Sequence, residues 1–129
     1  MDRKKRILFV DDDADFVAPH KEVLEASGYE VLTASSGAEG LEMAKALRPD
    51  LMILDVMMAT LTDGFETSRK VGEIPELKDL PVILMTGIRE KQDLGYGFEP
   101  DDAWLPVKVV LEKPVRPERL LAEVAKHIR

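Results

Sequence analysis

Short apolar runs recur along the chain and predict buried β-strands. Four runs show no alternation of polar and apolar positions, which is typical of parallel strands that are covered on both faces. A fifth run mixes polar and apolar positions and predicts a strand at the edge of a sheet. The buried candidates are residues 7–10, 51–54, 82–85 and 107–111, and the edge candidate is 29–34.

Stretches of helical periodicity separate these runs. The first ends at Gly28 and contains Pro19, which requires either a late helix start or a kink. The second follows Ser36 and ends before Pro49, and the fourth begins at Pro117, whereas the third, over 65–74, is weakly patterned. The predicted inner faces are Phe16, His20, Val23, Leu24 and Ser27 for the first, Ala38, Leu41, Ala44 and Leu47 for the second, and Leu120, Leu121, Val124 and Ile128 for the last.

This order of elements predicts an α/β fold, a doubly wound parallel sheet with helices on both sides and right-handed crossovers. The crossover before the fifth strand is the exception, because it contains Gly95, Gly97 and Pro100 and keeps no helical period. We therefore expect the helix of this crossover, the fourth of a regular fold, to be irregular or reduced to about a turn near 89–94. The length of 129 residues predicts a single domain, 1–129.

Composition and charge narrow the classes of function. The net charge of −7 argues against a duplex-binding surface, which needs a basic face. The absence of cysteine excludes disulfides and thiolate metal sites, and no fully apolar run exceeds five residues. We expect a cytoplasmic protein with no direct contact to nucleic acid or membrane.

Polar side chains follow the predicted strands at their carboxyl ends. Those ends meet at one edge of a parallel sheet, which is where open α/β sheets bind ligands. The residues that the pattern brings to this edge are Asp11, Asp12 and Asp13 after the first strand, Asp55 after the third, Thr86 after the fourth and Lys113 after the fifth.

These carboxylates need a positive partner. One of Asp11, Asp12 and Asp13 can cap the next helix, but capping cannot use all three. At about 4 Å and an effective dielectric near 20, each contact between like charges costs roughly 4 kcal/mol. Lys113 supplies one positive charge, and because neither histidine nor thiol is at hand, Mg²⁺ or Mn²⁺ is the better complement.

The same residues suit phosphoryl transfer. A carboxylate can attack phosphorus and form an acyl phosphate, and Asp55 is the natural nucleophile because the other groups flank it. Asp11 and Asp12 then bind the metal. The dication and Lys113 would neutralise charge on the moving group, and the Thr86 hydroxyl would hydrogen-bond one of its oxygens.

The chain resembles the receiver domain of two-component response regulators. The motifs that carry this likeness are ILFVDDD, GYEVLTASSGAEGLEMAKALRPDLMILDVMM, DGFE, LPVILMTG and EKPV, and they span nearly the whole chain. The resemblance implies a flavodoxin-like sheet of five strands in the order 2-1-3-4-5, and a cis bond between Lys113 and Pro114. It also implies that Asp55 receives a phosphoryl group from a sensor histidine kinase or phosphotransfer protein, that Thr86 is the switch hydroxyl and that Lys113 contacts the phosphate. The implied metal ligands are Asp11, Asp12, Asp55 and the main-chain carbonyl of Met57.

The chain departs from the family pattern in three places. The segment after DVMM, residues 59–64, is one residue longer than usual and lacks the usual proline. Val110 stands where the fifth strand commonly carries Tyr or Phe, and Thr86 and Lys113 are 27 residues apart, more than is typical. The interval contains three aromatic residues, which predict either packing of a loop onto the domain or a partner-binding patch. They are Tyr96, Phe98 and Trp104.

We expect a stand-alone phosphoacceptor in a phosphorelay, not an enzyme acting on other substrates. Its output would be docking on an unidentified downstream protein or homodimerisation. The alternative is a pseudo-receiver that binds proteins without being phosphorylated. A phosphoaspartate hydrolase is disfavoured because it needs a general acid where Met57 stands, and the chain has no Gly-rich nucleotide motif. His20 and His127 fall in predicted helices and show no neighbourhood that suggests metal binding or phosphotransfer.

Overall fold

A computed structural model describes residues 4–55, 63–86 and 108–128. The predicted irregular crossover helix and the aromatic residues near it lie outside the described residues, as does the loop that follows the third strand. In chain order the elements are β1 (Arg6–Val10), α1 (Ala14–Ala26), β2 (Glu30–Ala34), α2 (Gly37–Leu47), β3 (Leu51–Asp55), α3 (Asp63–Glu73), β4 (Val82–Thr86), β5 (Val109–Glu112) and α4 (Pro117–His127).

The five strands form one parallel sheet in the order β2-β1-β3-β4-β5, which confirms the predicted fold class and strand order. β1, β3 and β4 lie inside the sheet, and every residue of β3 is buried. β2 lies at one edge, as its mixed pattern predicted. β5 lies at the other edge and is only half-buried at Val109 and Val110, so the prediction of a strand covered on both faces is wrong there.

Two hydrophobic clusters fill the space between the sheet and its helices. Successive side chains of a strand point to opposite faces, so β1 contributes to both clusters. Ile7 and Phe9 pack with α1 and α4, whereas Leu8 and Val10 pack with α2 and α3. The strand ends that carry polar residues are thereby held between two packed layers. No helix of the described residues is long and apolar enough to cross a membrane.

Helix α1 begins directly after the aspartate run and ends at a glycine. The Asp13 side chain accepts hydrogen bonds from the backbone N–H groups of Asp15 and Phe16 and caps the helix. Gly28 follows the helix with a φ of 100°, a conformation that favours glycine. Pro19 lies inside the helix, so the late start, one of the two predicted alternatives, is excluded. The buried positions are Val17, His20 and Leu24, and Ser27 of the predicted face is exposed.

Helix α2 confirms part of the face that its apolar residues predict, since Ala44 is buried and Leu41 packs against the core, but its buried side also includes two glycines. Its buried residues are Gly37, Gly40 and Ala44, whereas Ala38 is exposed. A Cβ atom on Gly40 would lie 2.8 Å from a methyl group of Val10, so the helix backbone packs directly against β1. The apolar pattern missed this contact because glycine carries no hydrophobic side chain.

The remaining elements differ from prediction mainly at their ends. Helix α3 begins at Asp63, two residues before the predicted start, and β5 extends one residue further than predicted, to Glu112. Helix α4 begins at Pro117, as predicted, and buries Leu120 and Val124 against the sheet. Element ends depend on local hydrogen bonds and are less sharply encoded than element interiors.

Candidate functional site

The sheet brings three carboxylates together at its carboxyl edge. Asp11 directly follows β1 and Asp55 ends the neighbouring strand β3, with 5% and 3% of their surfaces exposed. Asp12 is exposed beside them. One carboxylate oxygen from each of these residues lies within 4.8 Å of the others. Asp11, Asp12 and Asp55 are called the acidic cluster below, and they could hold a metal ion.

The three consecutive aspartates have different roles, as the capping argument predicted. The Asp13 carboxylate is committed to the N-terminus of α1. The backbone N–H of Asp13 in turn donates to Oδ1 of Asp11 at 2.9 Å and orients that carboxylate. Helix capping therefore uses one aspartate and leaves the other two for the acidic cluster.

Lys113 places its ammonium group between the two buried carboxylates. Its Nζ lies 3.2 Å from Oδ2 of Asp11 and 3.2 Å from Oδ2 of Asp55. Lys113 follows β5 and is joined to Pro114 by a cis peptide bond, as the resemblance implied. The cluster has three carboxylates and Lys113 contacts two of them, so among the described groups these four leave an excess of negative charge.

The surroundings of Asp11 favour its protonated form. The pKa of Asp11 is raised from 3.8 to about 6, first because the carboxyl is buried and second because the negative charge of Asp55 lies nearby. The N–H of Asp13 and the ammonium of Lys113 oppose this rise without cancelling it. A divalent cation would stabilise the charged form, since opposite charge at close range favours ionisation.

Two aromatic residues behind Lys113 were not identified as functional from the sequence. Nζ of Lys113 lies 4.1 Å from the centroid of the Phe16 ring. The His20 ring packs on Phe16 with a centroid distance of 4.4 Å. A buried histidine among apolar positions of one helix face was the only available signal, and the contact with Lys113 depends on the path of the chain after β5.

The other predicted site residues are described only in part. Thr86 ends β4, one residue beyond Met85, which pairs with Asp55. Its backbone therefore lies at the same edge of the sheet, but its side chain is outside the described residues. Met57 also lies outside them.

The donor set at this edge fits a hard divalent cation. All three ligand atoms are carboxylate oxygens, which Mg²⁺ and Mn²⁺ prefer over softer metals. An open cleft borders the cluster and gives access from solvent. It is lined by Asp11, Asp12, Lys21, Ser35 and Glu39, among others.

Comparison with known proteins shows which family this chain is similar to. The family model described as "Response regulator receiver domain" matches residues 7–125. The chain is 35% identical to the alkaline phosphatase synthesis transcriptional regulatory protein PhoP of Bacillus subtilis, over 97% of this chain and 49% of that protein. It is 31% identical to the protein PilH of Pseudomonas aeruginosa, over 92% of this chain and 93% of PilH.

Solved structures agree with the sequence relatives. The chemotaxis response regulator CheY4 of Vibrio cholerae superposes with a TM-score of 0.82 at 30% identity, covering 98% of this chain and all (100%) of that one. The chain spans about half the length, 49%, of several curated relatives that it matches. From the family match, the sheet order and the acidic cluster together, we conclude that this chain belongs to the response regulator receiver domain family.

Proposed function

We propose that this chain is a Mg²⁺-dependent phosphoacceptor in which Asp55 is the nucleophile. Receiver domains are signalling domains rather than classical enzymes, and they interact with histidine kinases or phosphotransfer proteins. The observation that carries the proposal is the ammonium of Lys113, which lies 3.2 Å from both Asp11 and Asp55 within a cluster that could hold a metal. A cationic group therefore lies beside the candidate nucleophile.

The proposed reaction exchanges one bond to phosphorus for another. An oxygen of the Asp55 carboxylate attacks the phosphorus of a phosphohistidine, a P–O bond forms and the P–N bond breaks. The imidazole leaves with the electron pair of that bond and takes up a proton. In this scheme Lys113 moves from the carboxylates to an oxygen of the transferred group, where its charge stabilises the transition state.

The metal would be held by Asp11, Asp12, Asp55 and the main-chain carbonyl of Met57. When bound, Mg²⁺ or Mn²⁺ would neutralise the charge of the incoming phosphoryl group. The residues of the chain prepare this site, because Asp13 orients Asp11 and the strand ends bring the carboxylates together. In this proposal the Thr86 hydroxyl hydrogen-bonds an oxygen of the phosphoryl group and acts as the switch.

The proposal also covers the bounds of the domain, its location and its partners. Residues 1–129 would form one receiver domain, working in the cytoplasm with a sensor histidine kinase or phosphotransfer protein as donor. The phosphorylated form would signal by docking on a downstream protein or by homodimerisation. The described geometry supports this function over phosphorylation-independent binding, because it brings Asp11, Asp55 and Lys113 into contact.

Intact mass spectrometry tests the proposal directly. The protein is incubated with acetyl phosphate and Mg²⁺, with and without a chelator, beside the variants Asp55→Asn and Asp79→Asn. Asp79 is exposed between α3 and β4 and serves as a matched control. We expect one added phosphoryl group that requires both the metal and Asp55 and persists in the control variant. No addition to the folded wild type would contradict the proposal and favour the pseudo-receiver.

A further inference from the structure

The buried residue His20 has a backbone carbonyl oxygen beside each of its ring nitrogens. Its side chain is on the inner face of α1 beside Val17 and Leu24, and the residue is 3% exposed. Nδ1 lies 2.9 Å from the carbonyl oxygen of Phe16, and Nε2 lies 2.7 Å from the carbonyl oxygen of Val115. Carbonyl oxygens only accept and a neutral imidazole carries one N–H, so a neutral ring donates at one of these contacts, and the tautomer with the proton on Nε2 makes the shorter bond, to Val115. This bond offsets part of the cost of burying a polar ring on an apolar helix face.

The bond to Val115 joins α1 to the segment that carries Lys113. Val115 is 95 residues from His20 in sequence but only two residues after Lys113, and it is 7% exposed. Among the described residues, the ring of His20 is the side-chain partner of this carbonyl. The bond therefore fixes the backbone immediately after Lys113 against α1.

Phe16 provides a second connection between His20 and Lys113. Its ring lies 4.4 Å from that of His20, centroid to centroid, with an angle of 33° between the planes. The ammonium of Lys113 lies 4.1 Å from the Phe16 centroid, within the range of an attractive contact with the ring face. Phe9 contacts both rings edge-on, at 6.4 Å from Phe16 and 6.2 Å from His20. The ring beside Lys113 is thus packed against His20.

We propose that His20 is a positioning residue that holds the Lys113 ammonium at the acidic cluster. It does so through the bond to Val115 and through the packing of Phe16. A lysine side chain is flexible, so the place of its ammonium depends on where the backbone and neighbouring groups hold it. The consequence for phosphoryl transfer rests on the proposed function, whereas the position of the ammonium does not.

The position of Lys113 is tested first by nuclear magnetic resonance. The ring current of Phe16 should shift the protons at the end of the Lys113 side chain upfield, and the variant Lys113→Arg assigns their signal. The compared variants are His20→Leu, which keeps an apolar side chain, and His20→Gln, whose amide nitrogen can still reach Val115. Leu24→Met, one turn later on the same buried face, is the control. We expect His20→Leu to lose most of the upfield shift, His20→Gln to keep part of it and the control to keep all of it.

The rate of phosphorylation by acetyl phosphate and Mg²⁺ is the second measurement. We expect His20→Leu to slow the reaction about tenfold, because small displacements of a group that stabilises the transition state are costly. His20→Gln should recover part of that loss. In the Lys113→Ala background, His20→Leu should change the rate less than about twofold, since two residues that act through one contact are not additive.

The outcomes separate the inference from the proposed function. A Lys113 signal that is unchanged in folded His20→Leu overturns the positioning role, whatever the activity. An equal slowing with and without the Lys113 side chain also overturns it, since His20 would then act through the fold alone. If His20→Leu fails to fold, the Lys113 signal is measured in His20→Gln instead. Urea unfolding then checks that this variant is stable. A wild type that gains no phosphoryl group contradicts only the proposed function.

Discussion

At the amino edge of the sheet the charged side chains hydrogen-bond to backbone groups of neighbouring elements. At the carboxyl edge the negative charges outnumber the positive ones. At the amino edge the backbone N–H of Arg6 donates to the Asp50 carboxylate at 2.8 Å, and the Arg6 guanidinium donates to the carbonyl of Leu47 at the end of α2. At the carboxyl edge Lys113 is shared by Asp11 and Asp55, with Asp12 beside them.

The difference separates structural charges from candidate functional ones. A carboxylate that accepts from a backbone N–H satisfies a group that the fold would otherwise leave without a partner. Carboxylates that gather around a single ammonium raise the energy of the folded state unless another cation binds. Opposite effects of substitution are therefore expected at the two edges.

Removal of the shared ammonium should have the largest effect on activity. We expect Lys113→Ala to lower the rate of phosphorylation by acetyl phosphate about 100-fold or more, as loss of a transition-state contact typically does. The measurement is intact mass against time at fixed Mg²⁺. Lys78→Ala, at an exposed position between α3 and β4, is the control. A Lys113→Ala rate equal to that of wild type would remove the lysine from the mechanism.

Neutralising Asp11 should weaken metal binding while it stabilises the protein without metal. Asp11→Asn removes one buried negative charge but keeps an oxygen that can accept from the N–H of Asp13. We expect Mg²⁺ affinity to fall about tenfold or more, and the free energy of unfolding in chelator to rise by on the order of 1–3 kcal/mol at pH 7. Calorimetric titration and urea unfolding measure the two quantities. Lower stability in chelator would show that the cluster is not repulsive.

The pKa of Asp11 predicts a pH dependence of opposite sign for stability and metal binding. The folded pKa is about 6 and the ordinary value is 3.8, so between these pH values the folded state binds more protons than the unfolded state. The contribution of Asp11 to stability is complete below pH 3.8 and is lost as pH rises through 6. The stability gain of Asp11→Asn should accordingly vanish near pH 4.

The affinity for Mg²⁺ should change with pH in the opposite direction to the stability. Protonation of Asp11 competes with Mg²⁺, so affinity should fall as pH drops below about 6, by up to about tenfold per pH unit. Titrations between pH 5 and 7.5 with wild type and Asp11→Asn measure this slope. A wild-type slope no steeper than that of the variant would assign the competing proton to another group.

Substitution at the amino edge should have the smallest effect. We expect Asp50→Asn to lower the free energy of unfolding by about 1 kcal/mol, since it weakens a hydrogen bond to backbone without removing the acceptor oxygen. Its phosphorylation rate should stay within about twofold of wild type, because Asp50 lies at the opposite end of β3 from Asp55. Urea unfolding and the mass assay test both statements. A large loss of activity in a stable variant would contradict a purely structural role for Asp50.

The positions of the candidate site followed from the sequence because parallel strands share an orientation. Once four apolar runs were identified as parallel strands, the residues after them had to meet at one edge, and Asp11, Asp55 and Lys113 do so. The close approach of α2 to β1 could not be predicted in the same way. Its contact with the sheet is made at Gly40, where hydrophobic patterning has no signal.

The sequence by itself determined the fold class, the strand order through its family motifs and the carboxylates at the sheet edge, because these depend on local patterns of apolar residues and on the ends of strands. Only the tertiary structure decided which aspartate caps α1, how Lys113 is shared and that His20 is bonded to Val115. These depend on distances between residues far apart in sequence. A helix face and a strand-end segment meet only after both have packed on the same sheet, and no local pattern records that meeting.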